Sequence, residues 1–143
     1  MIHVYIETSI RGPNEKDGYG IAIIEKNGNA ITTGGPIKSA TENKALLVCL
    51  KNALRRINSQ VSTIIIHTNS KYVEQGLSAS GIYQWSEHDW KKSNGKELKY
   101  APHWAAIYEH LIGKEVIVDK EKHSYSKWLQ STLERKEKEL KNV

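Results

Sequence analysis

Three features of the sequence predict an α/β (mixed α+β) fold, a five-stranded mixed sheet flanked by helices. The chain opens with two strand-like stretches and a tight turn, it then alternates helical and strand-like segments, and its 143 residues suit one domain. An antiparallel meander followed by a helix and a further strand requires a crossover, which places parallel and antiparallel strands in one sheet. We therefore expect a single domain over residues 1–143.

Three strands are expected before the first helix. Residues 2–6 alternate apolar and polar side chains, and residues 18–24 form a second apolar stretch. Asn27 and Gly28 give the strongest hairpin signal in the chain, so a third strand should follow near residues 30–33.

The first helix should begin at Thr41, whose hydroxyl suits an N-cap. Its apolar residues recur at helical spacing, and they are Ala45, Leu46, Cys49, Leu50, Ala53, Leu54 and Ile57. Cys49 is the single cysteine, which excludes a disulfide framework, and its place in this apolar run indicates core packing.

The stretch over residues 61–73 is the centre of the predicted fold. Residues 64–66 are three isoleucines, typical of a strand buried on both faces, and residues 71–75 predict a short helix that Gly76 ends. Asn69 then lies at the carboxyl end of the strand, where open α/β sheets bind their ligands.

The second half of the chain carries weaker signals. Residues 81–100 are polar and aromatic, without a clear core period. Residues 103–111 have a helical pattern, residues 115–118 predict a short last strand, and a helix that becomes almost wholly charged is expected at about 124–141.

The composition is mildly basic. The formal charge is +5 and the isoelectric point about 9.2, which suggests a polyanionic partner without proving one. No segment approaches ~18 consecutive apolar residues, and no basic region followed by an apolar stretch opens the chain. We expect a cytoplasmic protein with no membrane partner.

Motifs in collinear order make the chain resemble the ribonuclease H family, type 1. Residues 67–73, His-Thr-Asn-Ser-Lys-Tyr-Val, are the most specific match, and they are similar to the family's Thr-Asp-Ser-x-Tyr-Val. The other matching segments are residues 6–9, 12–14, 18–20, 41–47, 84–85, 90–92 and 103–104. The resemblance implies the family's strand order and a basic, tryptophan-containing protrusion at about residues 81–100.

The resemblance also implies a chemistry that these residues match poorly. Members of the family hydrolyse the RNA strand of an RNA–DNA hybrid with two Mg²⁺ ions held by four carboxylates, because two dications about 4 Å apart need several anionic oxygens. By resemblance, the four positions hold Glu7, Leu46, Asn69 and either Ser126 or Lys127. We therefore expect a degenerate, inactive site that binds no cofactor, or at most one weakly held metal ion at Glu7. Mg²⁺ or Mn²⁺ is implied only if activity remains.

Other carboxylates could substitute for the missing ones. Glu42 lies one helical turn before Leu46, and Asp119 and Glu121 follow the last strand. Each has an ordinary alternative role, because an acidic residue in the first turn stabilises a helix and acids interleaved with lysines are typical of a solvated turn.

A set of basic, aromatic and amide residues is expected to contact nucleic acid. The set is Asn43, Ser70, Lys71, Trp85, Trp90, Lys91, Lys92, Lys96 and Lys99. Lysines would neutralise phosphates, and tryptophans would contact bases or sugars. Packing of the protrusion onto the body is the expected role of Trp104 and the alternative role of Trp85 and Trp90. His123 stands near the family's loop histidine.

Three functions follow from the sequence. The first is binding of RNA–DNA hybrid or double-stranded RNA without cleavage, the second is divergent metal-dependent hybrid hydrolysis, and the third is a protein-interaction module, since one fold supports many functions. The sequence leaves open which duplex is bound and whether a protein partner supplies missing acids.

Overall fold

The computed structural model describes residues 1–58 and 60–142. In chain order the strands of this described part are β1 (Ile2–Thr8), β2 (Lys16–Lys26), β3 (Asn29–Ala40), β4 (Thr63–His67) and β5 (Glu115–Asp119). Its helices are α1 (Glu42–Leu54), α2 (Lys71–Gly76), α3 (Ile82–Glu87), α4 (Ala101–Leu111) and α5 (Ser126–Lys141).

The strands form one five-stranded sheet in the order β3-β2-β1-β4-β5. β1 pairs antiparallel with β2, and β2 antiparallel with β3. β1 pairs parallel with β4, and β4 parallel with β5, so Val4 lies opposite Ile66 and Ile66 opposite Val118. The predicted mixed sheet with a crossover after the meander is confirmed.

Strand β3 is much longer than the predicted residues 30–33, because it continues to Ala40 through Gly34, Gly35 and Pro36. A proline lacks the N–H that a central strand needs, but β3 lies at the edge of the sheet, where one backbone side is unpaired. Judged from the local sequence alone, the glycines and the proline favour a loop after residue 33. The edge position of β3 in the sheet allows these residues to continue the strand.

The sheet is covered on both faces, and the three central residues of β4 are isoleucines. Val4 and Ile6 of β1 pack with the apolar faces of α1 and α4 in the main core. Tyr5, which points to the opposite face of the strand, packs with Leu129 and Leu133 of α5. Cys49 is buried in the main core as predicted, and burial raises the pKa of its thiol to about 12.

The short helix α2 ends at Gly76, one residue beyond the predicted range of 71–75, and Leu77 is its C-cap residue. A Cβ atom at Gly76 would lie 2.1 Å from Cη2 of Trp104, whose side chain is fully buried. Glycine is therefore required here for the close approach of α2 to α4.

The segment 81–100 contains α3, which the sequence pattern did not predict. Ile82 is fully buried and anchors this six-residue helix on the core. Tyr100 has a left-handed backbone (φ 62°) immediately before α4, which begins at Ala101, two residues earlier than predicted, with Pro102 in its first turn. In the described residues, no helix is long and apolar enough to cross a bilayer.

Candidate functional site

A small recess of about 70 Å³ lies at the carboxyl ends of β1 and β4. Glu7 and Asn69 both line it, as the fold predicts for residues that follow neighbouring parallel strands. The remaining lining residues are Ile6, His67, Thr68, Lys120, Glu121, Lys122, His123 and Ser126. The recess therefore brings together Glu7 and Asn69, which hold two of the four family positions. Ser126, one of the two candidates for the fourth position, lines it as well.

Glu7 is held by protein groups on its own loop. Its Oε1 atom accepts a hydrogen bond from the Thr8 amide at 3.1 Å and lies 3.4 Å from Nη2 of Arg11. The Glu7 side chain is 31% exposed, so it is accessible to a ligand. The sequence analysis did not select Arg11; its place four residues after Glu7, as a cation in the loop after β1, is the signal that could have found it.

The other family positions provide little for a metal ion. Leu46 is 3% exposed and packs in the main core, Asn69 is an exposed neutral amide, and Lys127 is an exposed cation. Among residues 1–58 and 60–142, no group of three or more histidine, cysteine, aspartate or glutamate side chains could hold a metal ion. This donor set does not fit two Mg²⁺ ions, which require several carboxylate oxygens.

Glu42, one of the possible substitute carboxylates, contacts the loop after β1 and is not among the residues that line the recess. Its Oε1 atom accepts a hydrogen bond from the Gly12 amide at 3.0 Å, while the Glu42 amide donates to the Gly12 carbonyl at 3.1 Å. Gly12 has φ +89°, a conformation that favours glycine. Glu42 thus fixes the loop that follows β1 against the start of α1.

Asp119, the last residue of β5, and Glu121, which follows the strand, make different contacts. Asp119 accepts a hydrogen bond from the Glu121 amide at 2.9 Å, and its Oδ2 atom lies 3.6 Å from Nδ1 of His67. Lys120 pairs with Glu74 of α2 at 3.1 Å. Glu121 lines the same recess as Glu7, whereas Asp119 faces the imidazole of His67.

A cluster of aromatic and imidazole rings lies beside the recess. His67 is buried, stacks on Tyr5 with ring centroids 4.2 Å apart, and places Nε2 2.8 Å from Nδ1 of His3. Burial lowers the pKa of His67, with the nearby Asp119 carboxylate opposing this shift, and burial likewise lowers the pKa of His123. Both imidazoles are therefore biased towards the neutral form.

A larger groove of about 400 Å³ lies between the start of α1 and segment 81–100. Its lining is Gly12, Pro13, Thr41, Glu42, Asn43, Tyr72, Trp85, Lys92, Leu98, Lys99, Tyr100 and Trp104. Four of the residues expected to contact nucleic acid, Asn43, Trp85, Lys92 and Lys99, meet there. Tyr100, which was not among the predicted contact residues, also lines the groove. Its hydroxyl forms a 2.7 Å hydrogen bond with the Thr41 hydroxyl, and this bond joins the two sides of the groove.

The remaining expected contact residues have other surroundings. The Ser70 hydroxyl accepts from the Val73 amide at 3.1 Å and caps α2. Trp90 packs edge-on against Tyr108 with centroids 5.8 Å apart, and Trp104 donates from Nε1 to the Tyr72 hydroxyl at 2.9 Å. Lys71, Lys91 and Lys96 are exposed, and Lys91 lies 4.0 Å from Asp89.

The fold and the recess at the ends of β1 and β4 define a ribonuclease H-like α/β protein. A family model described as RNase H matches residues 1–138, and the chain belongs to the RNase H family.

Curated relatives carry the same family name. The chain is 29% identical over 114 residues to ribonuclease H of Rickettsia massiliae, covering 80% of this chain and 73% of that protein. It is 29% identical over 109 residues to ribonuclease H of Mesorhizobium japonicum, covering 76% and 60%.

Solved structures share the fold. LC9-RNase H1, described as a type 1 RNase H with the type 2 active-site motif, superposes with a TM-score of 0.72 at 16% identity, covering 96% of this chain and 72% of that one. RNase H1 of Halobacterium salinarum superposes with a TM-score of 0.63 at 15% identity, covering 99% of this chain and 98% of that one. A foamy viral protease-reverse transcriptase solved with RNA/DNA hybrid superposes with a TM-score of 0.69 at 18% identity, covering 96% of this chain and 19% of that longer one.

Proposed function

We propose that this chain binds RNA–DNA hybrid or double-stranded RNA and does not hydrolyse it. The observation that carries the proposal is the donor set of the recess, where Glu7 contacts a guanidinium, Asn69 is neutral and Leu46 is buried in the core. Loss of ligand carboxylates removes the charge that metal-assisted hydrolysis needs, and it leaves a surface that repels phosphate less.

The groove beside the recess supplies the contacts for such binding. Lys92 and Lys99 line it and would neutralise phosphates, which releases counterions and makes affinity depend on salt. Trp85 offers an aromatic ring for a base or sugar, and the Asn43 amide can hydrogen-bond a 2′-hydroxyl. These four residues together favour a nucleic-acid duplex over a small anion as the ligand.

The test is a titration of labelled RNA–DNA hybrid, double-stranded RNA and double-stranded DNA with the whole chain in EDTA. We expect binding of the two RNA-containing duplexes, with a logarithmic salt slope of about −0.9 for each phosphate contacted. Lys92→Gln combined with Lys99→Gln should weaken binding about ten-fold or more. The matched control is Lys138→Gln combined with Lys141→Gln at the far end of α5. Absence of binding at low salt would overturn the proposal.

A divergent metal-dependent hybrid ribonuclease is the second candidate. Two observations favour it: the curated relatives are named ribonuclease H, and Glu121 lines the same recess as Glu7. It requires Mg²⁺- or Mn²⁺-dependent cleavage of the hybrid that disappears in Glu7→Gln. If the chain instead co-purifies with a stable protein and binds no nucleic acid, the protein-interaction module is the better function.

A further inference from the structure

The guanidinium of Arg11 is fixed at the carboxyl end of β1 by three acceptors. Nη2 contacts the Glu7 carboxylate at 3.4 Å, and Nη1 donates to the carbonyl oxygens of Thr8 and of Ile10, the latter at 3.3 Å. A guanidinium has five N–H donors in a rigid fork. Three of them make these contacts, while the side chain is 57% exposed, so the fork has room for a further acceptor from solution.

Arg11 adjoins one lining residue of each cavity. Glu7, its ion-pair partner, lines the recess, and Gly12, its neighbour in the chain, lines the groove. Lys16 donates from Nζ to the Arg11 carbonyl at 3.2 Å, which adds a second cation to the same loop. Arg11 is therefore close to the lining of both cavities.

The charge of Arg11 has a specific consequence for Glu7. A phosphate that approaches an unpaired carboxylate is repelled, and a cation between them removes that repulsion. In a metal-dependent nuclease the metal ions neutralise the charge at this place, but the donor set of this chain does not fit them. The Arg11 guanidinium neutralises Glu7, and its planar fork matches the oxygens of a phosphate.

We propose that Arg11 is a phosphate-binding residue that takes the electrostatic place of a metal ion beside Glu7, so that duplex binding needs no divalent cation. This inference rests on the proposed nucleic-acid binding. It names one residue that contacts a phosphate, and it predicts that binding is independent of divalent cations. It also gives Glu7 a role, since Glu7 orients the guanidinium through their ion pair.

The experiment measures hybrid affinity by fluorescence anisotropy in EDTA and in Mg²⁺ at matched ionic strength. The native chain should bind equally in both, within about two-fold. Arg11→Gln should bind about ten-fold more weakly in EDTA and lower the salt slope by about one, since one phosphate contact is lost. Arg11→Lys should bind the hybrid about three-fold more weakly than the native chain, because an ammonium keeps the positive charge but lacks the planar fork of donors.

Arg135→Gln is the matched control, since it removes the same charge from an exposed position on α5. Equal affinities of the Arg11→Gln and Arg135→Gln variants would overturn the role of Arg11 while the proposed function stands. A native chain that binds hybrid in EDTA but binds it ten-fold or more tightly in Mg²⁺ would also overturn the role of Arg11. If the native chain binds no duplex, the proposed function fails and the inference fails with it. Thermal unfolding of each variant separates lost binding from lost folding, and Arg11→Lys gives a second reading if Arg11→Gln unfolds.

Discussion

At the scale of single residues, Asn69 combines the shape of an aspartate with no charge. It lines the recess with Glu7 and is exposed, so its amide imposes no desolvation cost. An aspartate at this position would add an anion beside Glu7 without supplying the ligand that Leu46 lacks. The effect of this one residue on binding and on catalysis can therefore be separated by substitution.

We predict that Asn69→Asp does not produce hydrolysis and weakens hybrid binding about three-fold at low salt, because the new carboxylate repels phosphate. Anisotropy titration in EDTA gives the affinity, and gel electrophoresis of hybrid incubated with Mn²⁺ reports cleavage. Asn142→Asp, at the end of α5, changes the net charge equally and serves as the control. Hybrid cleavage by Asn69→Asp would contradict the prediction.

At the scale of elements, the position of segment 81–100 depends on one close helix contact. Gly76 of α2 lies against the fully buried Trp104 of α4, and Trp85 of α3 packs edge-on against the same indole with centroids 5.4 Å apart. Trp104 is thus a shared centre for three helices that border the groove. These contacts are those of a packing residue, which is the role expected for Trp104 from the sequence.

We predict that Gly76→Ala lowers the free energy of unfolding by about 3 kcal/mol, since the added methyl overlaps a rigid ring in a packed core. Urea unfolding followed by tryptophan fluorescence measures the change. Gly35→Ala is the comparison, because a Cβ atom there meets nothing within 4 Å and the backbone is that of an edge strand. Equal stabilities of the two variants would contradict the packing argument.

At the scale of the whole molecule, buried imidazoles link stability to pH. His103 accepts a hydrogen bond from Lys51 through Nδ1 at 3.2 Å, which joins α4 to α1. Burial lowers the pKa of His103, and the positive charges of Lys51 and Lys44 lower it further. Burial lowers the pKa of His67 and of His123 in the same direction.

A group with a lowered pKa in the fold takes up its proton more readily when unfolded, so acid favours the unfolded chain. We predict that the free energy of unfolding is highest above the unfolded histidine pKa of about 6.5 and falls as the pH decreases towards the folded values. Urea titrations between pH 7.5 and 5.5 test this trend. His103→Gln, whose amide oxygen can still accept from Lys51, should show a smaller fall, and a rise in stability with acid would contradict the assignment.

The sequence by itself determined the order along the chain of the five described strands and of the described helices other than α3. Apolar periodicity, the Asn27-Gly28 turn and the polar break after the isoleucines of β4 are local signals, and they fix which residues reach the recess. The identities of Glu7, Leu46 and Asn69 are also read from the sequence, and the proposal of binding without hydrolysis rests on them. These features are readable because each depends on residues close together in the chain.

Tertiary structure decided the partners of the charged residues and the boundaries of the irregular elements. Glu42 binds the Gly12 amide across 30 positions of sequence, and Lys120 after β5 pairs with Glu74 of α2. The length of β3 follows from its edge position, and the need for glycine at position 76 follows from Trp104. Such contacts depend on how distant backbone segments approach one another, which local propensity does not encode.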